Sequence, residues 1–235
     1  MESIYYVMSW LCHRTCPHCY EDRFRPYYGE DLARVVEQAR LNAGRIIENL
    51  PASMTYLDLS DPDASGEPRE KIGRIILAGG EILLDPVRQS VLYPALEQLA
   101  RKYKAQGGVK TIIQTTGDVI DEPIVKELLD RGVWMISVSG IDGYHAGLEK
   151  EDARTKLVGK LTAMFERCGM QPKSSVDSIN QRFYHFFGAT PGSWIGELWP
   201  RGRAMINELS TATYNIIFAT NGQAAVIFKC SLQRL

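Results

Sequence analysis

The sequence lacks a long uninterrupted apolar segment. None of its runs approaches the roughly 18 apolar residues that a membrane-spanning helix needs. Residues 1–8 also lack the basic and then apolar pattern of a secretory signal peptide. We therefore predict a cytoplasmic protein with no membrane partner.

An excess of either charge is missing as well. The 235 residues contain 27 Lys and Arg against 28 Asp and Glu, a formal net charge of -1, and the isoelectric point is near 6.4. This balance gives no electrostatic reason to expect nucleic acid as the main partner, and it favours a small or locally recognised ligand. Internal repeats and low-complexity tracts are absent, as expected of one globular domain of this length.

Cysteine is scarce and unevenly placed. There are five cysteines, and three of them (Cys12, Cys16 and Cys19) fall within eight residues, where a disulfide framework makes little topological sense. Reduced thiolates that bind metal fit this spacing better, in a well-reduced setting, because such a group of thiols oxidises readily in air. Cys168 lies on the apolar face of a predicted helix, so it and Cys230 are too few for a second four-cysteine cluster.

Short β-type runs alternate with helical patterns along most of the chain. This alternation predicts strand–helix–strand units, which form parallel sheets with right-handed connections. A closed eight-stranded barrel usually takes about 250 residues, so we predict an α/β fold with a partial (β/α)6 TIM-like barrel. The polar segment 58–71 is predicted to be a surface loop. The predicted strands are residues 4–10, Arg74–Ala78, Lys110–Thr115, Val133–Ser139, 174–177 and 194–199.

The C-terminal segment carries a hairpin pattern. Asn221-Gly222 stands between β-type runs at 214–219 and 224–228, which predicts a tight β-hairpin. We therefore divide the chain into a partial barrel, residues 1–210, and a C-terminal hairpin, residues 211–235. This hairpin either completes a compact protein or begins a truncated extension.

The three cysteines form a C-x-x-x-C-x-x-C motif directly after the first predicted strand. Thiolates are the usual ligands of iron–sulfur clusters, and three of them leave one iron of a four-iron cluster without a protein ligand. The spacing, its place after a strand and the aromatic Tyr20 after the third cysteine resemble the signature of the radical S-adenosylmethionine (SAM) superfamily. The resemblance implies a [4Fe-4S] cluster on Cys12, Cys16 and Cys19, with SAM as the second cofactor.

A second motif, Gly79-Gly80-Glu81, follows the second long predicted strand. In a βα barrel the active site forms at the C-terminal ends of the strands, so this turn is expected beside the cysteine motif. In the superfamily the matching motif binds the amino group of the methionine moiety. That motif commonly ends in proline, where this sequence has Ile82.

Further cofactor contacts are implied by the same resemblance. Ser137 and Ser139 share one face of a strand because side chains alternate; Ser137 matches a serine that contacts the cofactor ribose, whereas Ser139 stands where aspartate is usual. Gln114, Thr115 and Thr116 resemble a segment that borders the cofactor, and Arg154 is expected near its carboxylate. The full set of implied SAM contacts is Tyr20, Gly79, Gly80, Glu81, Thr116, Ser137, Ser139 and Arg154.

The stretch from Pro200 to Ala204 resembles the Pro-x-Gly-Arg-Ala sequence of the peptide-modifying branch that carries SPASM extensions. The resemblance implies an oxidoreductase-like enzyme that cleaves SAM reductively to a 5′-deoxyadenosyl radical, which abstracts hydrogen from a peptide or a small molecule. A flavodoxin or ferredoxin is the implied electron donor. No residue is assigned as a catalytic hydrogen donor.

Two alternatives stay open at this point. The first is a non-catalytic zinc module in which the three cysteines and either His13 or His18 complete a tetrahedral site. The second is an inactive, cluster-binding fragment of a larger radical SAM protein of the SPASM branch.

Overall fold

One parallel sheet organises the fold. The computed structural model describes residues 1–174, 178–189 and 198–210 and the backbone of 226–228. Its strands are β1 (Ser3–Val7), β2 (Thr55–Pro62), β3 (Pro68–Ile72), β4 (Arg74–Ala78), β5 (Lys110–Thr115), β6 (Val133–Ser139), β7 (Gln171–Pro172), β8 (Phe183–Phe187) and β9 (Val226–Phe228). Seven of them form a sheet in the order β7-β8-β6-β5-β4-β1-β9, with every neighbouring pair parallel, while β2 and β3 form a separate antiparallel pair.

Helices connect the parallel strands. Asp121 caps the N-terminus of the helix Glu122–Asp130, where its side chain accepts a hydrogen bond from the Ile124 N–H. Pro123 occupies the first turn of this helix, where no N–H is needed. The helices are α1 (Gly29–Asn49), α2 (Asp85–Val87), α3 (Tyr93–Tyr103), α4 (Glu122–Asp130), α5 (Glu151–Arg167) and α6 (Gly202–Ile206); a π-helical turn (Arg88–Leu92) joins α2 to α3.

The main core lies between this sheet and its helices. Alternate strand residues point toward it, so Ile4 and Tyr6 of β1 are buried while Tyr5 between them faces the other side of the sheet. The apolar stripe of α1 supplies Ala39, Ala43 and Ile47 to the same cluster, which also includes Leu96 and Leu99 of α3, Val125 and Leu128 of α4, and Leu161 and Phe165 of α5. A second, smaller buried cluster, which includes Ile112, Trp134 and Phe183, is separate from this core.

The predicted α/β architecture is confirmed as an open, parallel sheet over the described residues. Three strands, Arg74–Ala78, Lys110–Thr115 and Val133–Ser139, have the predicted bounds. The first strand ends at Val7 instead of residue 10, because the chain turns out of the sheet there: the Ser9 hydroxyl accepts a hydrogen bond from the Leu11 N–H. Within the described residues, no helix is long and apolar enough to cross a membrane.

The prediction of a loop at 58–71 is wrong in its secondary structure. Strands β2 and β3 pair there as an exposed hairpin, with Leu57 and Leu59 largely open to solvent. Its sequence carries no buried face, so no apolar alternation marks it. The Lys71 ammonium instead bonds both Asp58 and Asp61, each at 2.8 Å.

The predicted strands beyond residue 170 have a different outcome. Ser174 is not in a strand, residues 175–177 lie outside the described residues, and the strand beside β6 is β8, whose Phe183 and Tyr184 are buried. Residues 194–197 and the predicted hairpin up to 225 also lie outside them. Residues 226–228 form β9, which pairs in parallel with β1. The division at residue 210 stays a prediction.

Candidate functional site

The three clustered cysteines lie on one loop, residues 11–25, which we call the cysteine loop. An isolated bridge between Leu11 and Arg25 and a 3.0 Å hydrogen bond from the Cys12 N–H to the Arg25 carbonyl close its base. Cys12 is buried, Cys16 and Cys19 are half-buried, and all three are free thiols. The Cys19 N–H donates to the Cys16 carbonyl at 3.2 Å, which turns the chain between the second and third thiols.

Burial favours the protonated form of the Cys16 and Cys19 thiols in the absence of metal. It raises the pKa of Cys16 to about 11, with a further contribution from the Cys12 thiol, and it also raises the pKa of Cys19. The positive charge of Arg203 opposes both shifts. Because the thiolate is the ligand form, metal binding at this loop must release protons. As a donor set, three thiols on one short loop fit an iron–sulfur cluster.

The Gly79-Gly80-Glu81 turn after β4 touches the cysteine loop, as the strand order predicts. The Gly80 N–H donates to the Ser9 carbonyl at 3.0 Å, and the Glu81 N–H donates to the Leu11 carbonyl at 2.8 Å. A Cβ on Gly80 would lie 2.2 Å from the Leu11 oxygen and 2.8 Å from Cys12 Cβ. Glycine is therefore required here for the two turns to approach each other.

Glu81 is fully buried and joins the turns that follow β4 and β5. Its carboxylate accepts hydrogen bonds from the Thr115 hydroxyl at 2.9 and 3.0 Å, from the Thr116 hydroxyl at 2.7 Å and N–H at 2.8 Å, and from the Leu83 N–H at 3.0 Å. Burial raises its pKa, and these hydrogen bonds act in the opposite direction. Thr116 thus lies beside Glu81, and a direct contact of either residue with the cofactor stays a prediction.

Asp118, in the loop after β5, bonds two residues between the first and second cysteines. Its Oδ2 lies 2.7 Å from His13 Nε2 and accepts from Arg14 Nε and Nη2 at 3.0 and 2.5 Å. The hydrogen bond to Asp118 raises the pKa of His13 to about 10, so this imidazole is protonated at neutral pH. Asp118 is not among the predicted site residues, although an acidic residue directly after Thr116-Gly117 at a strand end could have indicated it.

His18, between the second and third cysteines, packs against residues from the loop after β6. Its ring centroid is 4.5 Å from that of His145, whose Nδ1 lies 2.9 Å from Asp142 Oδ1. Burial and the nearby His145 lower the pKa of His18 to about 4. Among the described residues, His18, Asp142 and His145 are the one set whose possible metal-ligating atoms all lie within 4.8 Å of one another. Asp142 and His145 already hydrogen-bond each other, however, so the set presents a hydrogen-bonded pair to the His18 ring.

His145 has no assignment from the sequence, and its position depends on a nearby glycine. Gly140 has a φ of +92°, and a Cβ there would lie 2.6 Å from both Cε1 and Nε2 of His145. The glycine thus provides the space that the imidazole occupies.

The other residues with implied SAM contacts are distributed around this edge. Tyr20 packs edge-on against Phe24, with ring centroids 5.6 Å apart, and the Ser139 hydroxyl donates to the Thr115 carbonyl at 3.2 Å. Arg154 donates through Nη1 to the carbonyls of residues 148 and 149, at 2.7 and 3.0 Å, so it fixes the segment before α5 and shows no bond to the cysteine loop.

Polar side chains also cross the sheet on the face away from the main core. Ser137, which is buried, stands in register with Gln114 on β5 and His185 on β8. The Tyr5 hydroxyl of β1 donates to Gln114 Oε1 at 2.9 Å. The sequence analysis identified Ser137 and Gln114 here but not Tyr5 or His185.

Comparisons with known proteins give a limited likeness. No family model and no curated protein matches the chain. Among solved structures, it is similar to native anSMEcpe with bound AdoMet and Cp18Cys peptide at a TM-score of 0.42 and 15% identity, over 80% of this chain and 43% of that one. Native anSMEcpe with bound AdoMet has a TM-score of 0.42 and 16% identity, over 80% of this chain and 44% of that one. The hexahistidine-tagged form with bound AdoMet has a TM-score of 0.41 and 15% identity, over 80% of this chain and 42% of that one. The chain spans less than half the length of these proteins.

Proposed function

We propose that this protein is a radical SAM enzyme whose [4Fe-4S] cluster binds to Cys12, Cys16 and Cys19. The observation that carries the proposal is the cysteine loop itself. It presents three free thiols at the end of β1 and contacts the Gly79-Gly80-Glu81 turn at the end of β4. Two motifs 60 residues or more apart in sequence are thus adjacent where a parallel α/β sheet forms its active site.

The protein residues have separate tasks in this proposal. When bound, the cluster and SAM together supply a 5′-deoxyadenosyl radical that abstracts hydrogen from the substrate. The three thiolates leave one iron for the cofactor. Gly79, Gly80 and Glu81 would border its methionine amino group and Arg154 its carboxylate. Ser137 and Ser139 would border its ribose, and Tyr20 and Thr116 would lie beside the cofactor.

The site geometry supports a cluster over the zinc alternative. The Nε2 atom of His13 lies 2.7 Å from Asp118 Oδ2 and 3.2 Å from Arg14 Nε, so this nitrogen is already engaged. The other histidine of the zinc alternative, His18, is grouped with Asp142 and His145, because possible ligand atoms of these three residues lie within 4.8 Å of one another. Within the described residues, the three sulfurs form no set within 4.8 Å, although ligands of one tetrahedral zinc at about 2.3 Å would do so. Cysteines that each bind a different iron need no such approach.

The substrate and the electron donor follow from the resemblance and remain part of the proposal. The polar row of Gln114, Ser137 and His185 lies on the sheet face that the main core leaves free, which suits a peptide or a small polar molecule. We expect a flavodoxin or ferredoxin to deliver the electron, in the cytoplasm. A link to the SPASM branch rests on the Pro200–Ala204 sequence.

Anaerobic iron analysis and product analysis test this function. We expect about four irons per chain, a broad absorbance near 400 nm, and 5′-deoxyadenosine by mass spectrometry after incubation with SAM and dithionite. Cys16→Ala should lose most of the iron, whereas the matched control Cys168→Ala should keep it. Four irons in Cys16→Ala would contradict the ligand assignment, and a full cluster without 5′-deoxyadenosine would favour the inactive-fragment alternative.

A further inference from the structure

A short segment far along the chain holds the cysteine loop. Residues 201–207, which include α6, lie against the loop although they follow it by more than 170 residues in sequence. We call this segment the arginine clamp. Nothing in the proposed chemistry requires these residues as ligands of the cluster or of SAM.

Arg203 makes the most extensive contact. Its Nε donates to the Cys16 carbonyl at 2.8 Å, its Nη1 to the Asp22 carbonyl at 2.9 Å, and its Nη2 to the Phe24 carbonyl at 2.9 Å. One guanidinium therefore ties the middle of the cysteine motif to the end of the loop. Arginine suits this task because its five N–H donors have a fixed planar geometry and a permanent charge.

Two further hydrogen bonds reach the loop backbone between those points. The Ala204 N–H donates to the Cys19 carbonyl at 3.2 Å, and Asn207 Nδ2 donates to the Pro17 carbonyl at 2.8 Å. The clamp thus binds five backbone carbonyls of the loop and leaves the three thiols unengaged by its own side chains.

The first residues of the clamp, Arg201 and Gly202, also lie close against the cysteine loop. Gly202 has a φ of +59°, and a Cβ there would lie 2.4 Å from the carbonyl carbon of Tyr20. Arg201 Nη2 donates to Glu21 Oε2 at 2.9 Å, and the other oxygen of this buried carboxylate accepts from Arg23 Nε at 2.8 Å. Only glycine at 202 permits this approach.

We propose that Arg203 is a positioning residue, through which the arginine clamp holds the cysteine loop in its ligand-presenting conformation before the cluster binds. The inference rests on the proposed function for the identity of that cluster. Its physical basis is pre-organisation. A loop of 15 residues that must order itself around a metal loses conformational entropy when it does so, and a loop already fixed at five carbonyls loses less. Fixing backbone carbonyls also restrains the thiols without blocking them.

Hydrogen exchange of the metal-free protein tests the clamp without any cofactor. In Arg203→Met we expect the amides of the cysteine loop to exchange about tenfold faster or more, because three charge-assisted hydrogen bonds are lost. Amides of β5 and β6 should keep their protection. Arg182→Met is the matched control: its guanidinium also donates to two backbone carbonyls, those of Ile179 and Gln181, but away from the loop. Unchanged exchange of the loop in Arg203→Met would overturn the proposal.

Two milder variants keep the test decisive if Arg203→Met folds poorly. Asn207→Ala removes one bond. Arg203→Lys keeps the charge, but its single nitrogen cannot span three carbonyls that Arg203 reaches through Nε, Nη1 and Nη2. Both should show loop exchange between that of the wild type and that of Arg203→Met, with faster iron release to a chelator in the same order. Exchange in Arg203→Lys equal to that of the wild type would show that charge alone suffices and would refute the clamp. If the wild type bound no iron, the proposed function would fail, whereas the exchange result would still decide the clamp.

Discussion

The cysteine loop and the β2–β3 hairpin both project from the sheet, yet they are held in different ways. The hairpin is stabilised by its own residues, such as Lys71 with Asp58 and Asp61, and most of its surface is exposed. The cysteine loop is held by Gly80, Asp118 and Arg203, which come from three distant parts of the chain. A surface segment can be held by contacts among its own residues, whereas the geometry of a site is held by contacts from distant parts of the chain.

The largest loss of stability is expected from substitution of Gly80, which lies in the turn that contacts the cysteine loop. Gly80→Ala places a methyl group 2.2 Å from the Leu11 oxygen, so the loop or the turn must move. We expect a loss of about 4 kcal/mol or more in unfolding free energy, or failure to fold, measured by urea denaturation. The control is Gly44→Ala in α1, where a Cβ meets nothing within 4 Å and a gain of about 0.5–1 kcal/mol is expected. Equal stability of the two variants would show that the approach of loop and turn is unimportant.

Glu81→Ala is expected to have the next largest effect. It leaves the Thr115 hydroxyl and the N–H groups of Thr116 and Leu83 buried without their acceptor, which should cost about 3 kcal/mol in unfolding free energy. Glu81→Gln keeps the shape and one acceptor oxygen, so a smaller loss is expected. Calorimetry with SAM should also show affinity lowered roughly tenfold to a hundredfold in Glu81→Ala. Wild-type stability in Glu81→Ala would mean that the buried network does not support the site.

A smaller, pH-dependent effect is expected at Asp142. Burial favours its neutral form, but hydrogen bonds from His145 and from the N–H groups of Ala189 and Tyr144 outweigh it and lower the pKa from 3.8 to about 2. Its stabilisation is therefore complete above about pH 5 and is lost as the pH falls through about 2. We expect Asp142→Asn to lose about 2 kcal/mol at pH 7 and clearly less at pH 3, by urea denaturation at both pH values. A difference independent of pH would contradict this assignment.

The smallest effect is expected in the hairpin. Lys71→Ala removes the bonds to Asp58, which is half-buried like Lys71, and to Asp61, which is exposed. Such pairs contribute little, so we expect a change in Tm of about 2 °C or less and no change in iron content. An altered iron content would show that the hairpin and the cysteine loop are coupled, and would remove the contrast between them.

Patterns of neighbouring residues predict the strands and motifs whose structure depends mainly on the residues within them. The apolar, β-branched run Arg74–Ala78 is a strand at its predicted bounds, and the cysteine spacing is evident from the sequence. The exposed hairpin is missed because a strand without a buried face has no alternating pattern. Asp118 has a signal in the sequence, its place directly after Thr116-Gly117 at a strand end, whereas the contacts of Arg203 join distant segments and exist only once the chain has folded.

The arginine clamp also bears on when the cofactor is inserted. Cys16 and Arg203 are 187 residues apart, and chains grow at about 5–20 residues per second, so roughly 10–40 s separate their synthesis. During that interval the nascent chain carries three thiols on a loop that lacks five of its backbone contacts, in a form open to oxidation. Iron insertion is therefore expected after residues 201–207 have left the ribosome. Ribosome-bound chains stalled before Arg203 should acquire less iron under anaerobic conditions than the released 235-residue chain, because their cysteine loops lack the clamp.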